Sequence, residues 1–225
     1  MSHKSIVFPI CLIFLFSFPV RADFDEPAEK QAAYQYLNQL RENAGMVLFK
    51  KNPLLEKSAG HHARYLSINA VIGHFEEPDR PEFSGVKPSD RALFAGYNSK
   101  NVTENFSSGQ KNSFESIEGL MSAIYHRFGF LAFSKNEVGI SFASAGKDIN
   151  FVYNMGNSQQ NELCQNSKYN GSDSYYQSVC KNDEKVSVKQ FDTLEQNAMK
   201  ENPSIIVWPP NGAKQVLNVF YEEIP

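Results

Sequence analysis

The chain is short of cysteine, tryptophan and positive charge. Of 225 residues, three are cysteine and one is tryptophan, and 22 Lys and Arg stand against 25 Asp and Glu. No basic run occurs, so the electrostatic footprint of a nucleic-acid binder is missing. No stretch beyond residue 20 is long and apolar enough to cross a bilayer. Histidine is also scarce, with five in all. Few side chains therefore remain that can bind a metal or move a proton, and three stand out: His74, Glu104 and His126.

The first 22 residues differ from the rest. Lys4 precedes an apolar run, Ile6 to Val20, which ends at Val20-Arg21-Ala22 before acidic Asp23, Asp25 and Glu26. That pattern predicts a secretory signal cut after Ala22. A membrane anchor is the alternative, but about 15 apolar residues interrupted by prolines span poorly. Loss of Lys4 and Arg21 would make the net charge of −3 more negative by two. The expected location is secreted or periplasmic, with no membrane span after cleavage.

Cys11 leaves with that segment. Cys164 and Cys180 remain in a stretch rich in Asn, Ser and Tyr, and an exported chain favours a bridge between them. Closing that loop is worth about 3 kcal/mol in the chain-entropy model. No cysteine is left as a nucleophile.

A composition that is 41% apolar and 13% aromatic supports one globular domain with extensions. Asp25 to Ala44 reads as a helix, with Pro27 in its first turn and Tyr34, Leu37 and Leu40 at helical spacing. A second helix runs from about Pro53 to Ala70 on the stripe Leu55, Ala59, Ala63, Leu66 and Ala70. His62 lies at the edge of that stripe, where a histidine is more often a satisfied core residue than a ligand. His61 points away from it. His74 follows Gly73 at a change of direction, and the loop to Pro88 suits the rim of a cleft. Arg91 to Tyr97 reads as a short strand or turn, and Glu104 as a loop residue. Asn112 and Glu115 form a capping-box variant for a third helix. Its expected stripe is Ile117, Leu120, Met121, Ile124 and Phe128, with His126 near its end. Residues 137–143 and 149–156 alternate as a hairpin. Helices layered on an antiparallel sheet make this an α+β fold.

Seven dipeptides or short motifs then fall in order: His62-Ala63, Gly73-His74, Asp90-Arg91, Gly96-Tyr97, Glu104-Asn105, His126-Arg127 and Glu137-Val138-Gly139-Ile140. In this the chain resembles the CAP superfamily of cysteine-rich secretory, antigen-five and pathogenesis-related proteins, its secreted bacterial SCP-domain members in particular. The resemblance covers residues 32–156. It implies an α-β-α sandwich with a large cleft that gathers two histidines and two acids. By motif these are His74, Glu104 and His126; the second acid has no counterpart, because Gly119-Leu120-Met121-Ser122 stands where the family pattern has an aromatic and an acid. On a continuous third helix Glu115 lies roughly 20° and Glu118 roughly 80° from His126, and Ser122 stands one turn before it. All three are candidate supports of the cleft, with His62.

The resemblance further implies divalent metal, Zn²⁺ among the candidates, held by His74 and His126, with Glu104 as third ligand or orienting group. Three functions follow. One is a secreted cleft-binding module for an extracellular or envelope ligand. Another is a metal-assisted hydrolase of peptide or cell-wall material, with Glu104 as its candidate catalytic group. The last is a lipid or sterol carrier.

The expected division is a signal at 1–22, the CAP domain at 23–156 and an extension at 157–225. The extension carries the disulfide loop, a helix from about Val188 to Lys200 and a strand-turn-strand over its last 22 residues. Trp208 sits at that turn, and packing is its expected role. Asn101, Asn105 and Asn170 head N-x-Ser/Thr sequons.

Overall fold

The computed structural model describes residues 25–145, 148–167, 169–210 and 212. The expected signal segment and the second strand of the expected C-terminal hairpin lie outside them.

Helix α1 spans Glu26–Asn43, capped by Asp25, which accepts from the Ala28 amide. The two-residue strand β1, Lys50–Lys51, leads into α2, Pro53–Asn69. Asn52 caps α2 by accepting from the Leu54 and Leu55 amides, and Pro53 fills the first turn, where a missing N–H costs nothing. Then come α3 (Pro88–Ala95), β2 (Thr103–Ser108), α4 (Ser113–Ser122) and α5 (Ile124–Phe130). The long strands β3, Glu137–Ala145, and β4, Asp148–Gly156, follow.

The sheet order is β1-β3-β4-β2, with β1 parallel to β3 and the other pairs antiparallel. The sheet is therefore mixed rather than purely antiparallel. Alternation along the strands sorts their side chains onto two faces. Val138, Ile140, Phe142, Phe151, Tyr153 and Met155 pack with Leu37, Ile117, Leu120 and Phe130 of α1, α4 and α5. On the other face Val152 packs with Ala59, Ala63 and Leu66 of α2. That face of β3 carries small residues, and one of them sets the spacing. A Cβ on Gly139 would lie 2.0 Å from the Glu56 amide nitrogen, so α2 rests directly on the β3 backbone.

Two elements differ from the sequence reading. Arg91 to Ala95 belongs to helix α3, not to a strand; Pro88 opens it, and Gly96, at φ +106°, closes it in the left-handed region that glycine tolerates. The third helix is two helices, because Ala123 is extended (φ −85°, ψ 126°). The Arg127 guanidinium donates to the Met121 and Ser122 carbonyls, satisfying the end of α4. Ile117, Leu120 and Met121 are buried as the stripe requires, but Ile124 and Phe128 beyond the break are exposed.

Beyond β4, helix α6 (Ser158–Asn166), strands β5 (Tyr175–Tyr176) and β6 (Val186–Ser187) and helix α7 (Val188–Lys200) enclose a second small core. It holds Val186, Phe191 and the Cys164–Cys180 disulfide. Asn202 ties this part back: its side chain accepts from the Val47 amide and donates to the Phe133 carbonyl. Ile206 and Trp208 pack on the main core. Residues 203–207 show no strand, which corrects the first half of the expected C-terminal hairpin. No helix among the described residues is long and apolar enough to cross a membrane.

Candidate functional site

The site forms where two loops reach around the edge strand β2. Glu104 and Asn105 are consecutive on that strand and so face opposite sides of the sheet. Glu104 faces the α2 side and receives His74, whose Nδ1 donates to Glu104 Oε1 at 3.0 Å. Asn105 faces the α5 side and donates to the His126 carbonyl at 2.7 Å. A Cβ on Gly129 would come within 2.8 Å of the Asn105 amide oxygen, so α5 seats closely there. The two imidazoles arrive from opposite faces and bring their ring centroids to 6.5 Å. Phe106 meets the His74 ring edge-on at 4.8 Å. His74, Glu104 and His126, separate in sequence, are thus gathered in one place.

Beneath His74 lies a buried charge cluster. Arg91 donates through Nη2 to both Glu104 oxygens, at 2.7 and 2.8 Å, and through Nη1 to the His74 carbonyl at 3.0 Å. With its amide nitrogen turned to the carboxylate, Asn154 also donates to Glu104 Oε2 at 3.0 Å. Burial alone would push the Glu104 carboxyl up. The His62 imidazole and Arg91 guanidinium, with the bonds from His74 and Arg91, hold it below the ordinary value instead.

His62 completes the cluster and is fully buried. Its Nδ1 lies 2.9 Å from Glu76 Oε1, and its Nε2 lies 2.9 Å from the Gly73 carbonyl. The ring is thus held at both nitrogens, beside the Arg91 guanidinium and the carboxyls of Glu76 and Glu104. The bond to Gly73 also fixes the residue before His74. His62 is therefore the pin of the His74 loop, not a cleft ligand.

Glu76 is a buried acid of this cluster to which the sequence reading gave no role. It stands two residues after His74, folded inward, where it also accepts from the Ser84 amide at 2.8 Å. The two proposed substitutes are spent elsewhere. Glu115 accepts from the Lys111 amide beside the α4 cap, and Glu118 accepts from the Tyr36 hydroxyl. The break at Ala123 removes the helical wheel that aligned them with His126. Ser122 donates to the Gly119 carbonyl within its own turn. Glu104, expected in a solvated loop, is a buried strand residue. Arg91 entered the sequence reading through the Asp90-Arg91 motif, with no part in the site. The signal that could have found it is an arginine at the spacing of small apolar residues, Ala92 and Ala95, in a short helix.

No group of three or more His, Cys, Asp or Glu side chains among the described residues is arranged to hold a metal ion. Glu104 is unsuited as a ligand because both its oxygens already accept hydrogen bonds. The remaining donors are the imidazoles of His74 and His126. The bond from His74 Nδ1 to Glu104 leaves Nε2 as its ligating atom, as an outer carboxylate does for a metal-bound histidine. The donor set thus fits a divalent cation held by two imidazoles, with its other positions open.

Residues 34–156 match the family model described as the cysteine-rich secretory protein family. Among solved structures, the chain is similar to an extracellular SCP-domain protein from Bacillus anthracis, with a TM-score of 0.52 at 16% identity over 59% of this chain and 41% of that one. It is similar also to an outer surface protein from Borrelia burgdorferi, with a TM-score of 0.51 at 18% identity over 58% of this chain and 92% of that one. The chain thus spans less than half the length of the Bacillus protein. At these identities the likeness speaks for the fold alone. No curated protein matches by sequence.

Proposed function

Because the chain belongs to the CAP family of cysteine-rich secretory proteins, we propose that it is an exported binding module whose working surface is the cleft between His74 and His126. The observation that carries this reading is the state of Glu104. Its side chain is 1% exposed and is held by Arg91 at both oxygens. A carboxylate so engaged orients His74; it is not available to take a proton from water. That argues for binding over metal-assisted hydrolysis.

A divalent cation such as Zn²⁺ would be held by His74 and His126, and would supply a Lewis-acidic position for a ligand oxygen or nitrogen. Glu104 fixes the ring of His74, and Asn105 fixes the backbone at His126. A specific feature favours an apolar component in the ligand, as a lipid carrier would need. Phe75, Tyr125 and Phe128, each within two residues of an imidazole, are 70%, 72% and 62% exposed. Three large apolar side chains so placed suit a greasy extracellular partner.

The test is metal analysis of the purified mature protein, with thermal unfolding on addition of Zn²⁺. Binding to the folded form raises stability by mass action, by about 2.7 kcal/mol at a hundredfold excess over Kd. The expected result is a shift in the wild type that disappears in His74→Ala/His126→Ala. An unchanged shift in the double variant overturns the assignment of the ligands.

A further inference from the structure

We propose that the groove between α6, the disulfide ring and α7 binds a neutral oligosaccharide. The groove lies outside the CAP domain and is independent of the histidine cleft. It encloses about 920 Å³, within the range of small-molecule sites.

Its lining has the chemistry that sugars select. Asn166, Asn170 and Gln190 line it and are exposed, so their amides face solvent. An amide presents a donor and an acceptor side by side, which matches a pair of neighbouring hydroxyls. Asp173 and Lys189 contribute one charge of each sign, so the lining favours neither anion nor cation. Tyr169, half-buried, adds an aromatic ring to the lining, the kind of group that stacks on the C–H side of a pyranose.

That ring is held in advance. A Cβ on Gly171 would lie 2.8 Å from the Tyr169 ring, so the ring rests against the Gly171 backbone. Tyr175 packs beside it with centroids 5.9 Å apart, and the Tyr169 hydroxyl donates to the Asp173 carbonyl. The Cys164–Cys180 bridge closes the segment that carries it, and Val186 and Phe191 give the walls their own core. A platform fixed before binding loses little entropy on binding. A peptide groove of the strand-adding kind would need an unpaired edge of useful length, and β5 and β6 have two residues each.

The experiment titrates the whole mature protein with the trisaccharide of N-acetylglucosamine and, separately, with maltotriose, by calorimetry and amide NMR. The two arms distinguish an aminosugar polymer from a glucan. The expected result is binding of at least one probe, with shifts at residues 169–173 and 190 and none at His74 or His126. Tyr169→Ala should weaken it about tenfold, roughly the worth of one aromatic contact. Gln190→Ala, on an exposed helix face, should weaken it without affecting the fold, and so serves if Tyr169→Ala fails to fold. Tyr169→Phe keeps the ring and should bind within about threefold of the wild type. No binding of either probe at up to about 10 mM, shifts confined to the histidine cleft, or unchanged affinity in Gln190→Ala and a folded Tyr169→Ala each overturn the proposal.

Discussion

Replacing Glu104 by Gln keeps the shape of the side chain and removes its charge. The Arg91 guanidinium, wholly buried, then loses its charged partner and one of the two acceptors on Nη2, the Gln amide oxygen keeping the other, and the neighbouring His62 loses a nearby negative charge. Breaking a buried pair by removing one member costs 3–5 kcal/mol in general. Here the lower end applies, because Nη1 keeps the His74 carbonyl and Nε stays 3.6 Å from Glu76. The expected loss is about 3 kcal/mol. With an m-value of about 2 kcal/mol/M, the urea midpoint should fall by about 1.5 M at unchanged slope. Acid should mimic the substitution in the wild type. The folded carboxyl sits below its ordinary value of 4.5, so its contribution is complete above that value. It is lost as pH falls through the folded value. The Gln variant should lack this part of the acid limb. Arg91→Met combined with Glu104→Gln should cost at least about 1 kcal/mol less than the two singles together. A Glu104→Gln loss below about 1 kcal/mol, or strict additivity with Arg91→Met, would refute the picture of a buried, mutually compensated cluster.

Lys135 is 5% exposed, and burial pushes its ammonium down to about 8, partly opposed by Glu195. Between about pH 8 and 10 the unfolded chain holds a proton that the folded one lacks, so stability should rise with pH, by at most about 3 kcal/mol. In Lys135→Met, denaturant melts across that window should lose this rise. Gly139→Ala sets a Cβ against the α2 backbone, and equilibrium unfolding should report a loss of at least about 3 kcal/mol; a loss below 1 kcal/mol would mean α2 is not seated there. Cys164→Ser/Cys180→Ser should cost about 3 kcal/mol, and hydrogen exchange should locate the lost protection in residues 158–200, leaving the β3–β4 amides protected.

The helices α1 and α2 and the β3–β4 hairpin were legible because each repeats its apolar positions over several turns or pleats. Their caps, Asp25 and Asn52, are short polar residues with a proline one or two positions on. The three site residues were legible only through dipeptides shared with a family, since nothing in the periodicity around Glu104 marks it as buried. What stayed hidden has a common cause. Arg91 and Glu76 are charged residues whose burial is compensated within the cluster, and a pattern reader sees charged residues as solvated; His62 was legible as a core histidine, but its partners were not. The break at Ala123 was hidden for a related reason. The stripe from Ile117 to Phe128 continues helically in sequence, and only the reach of Arg127 to the end of α4 shows that it stops.

Edge strands ordinarily risk pairing with foreign chains, yet β2 carries an added burden. One face of it anchors the loop before the cleft and the other anchors the helix behind it, through adjacent residues. A slip of β2 by a single residue would exchange those faces and release both histidines together. Evolution can therefore retune either side of the hollow, but only by leaving the alignment of this strand with β4 untouched.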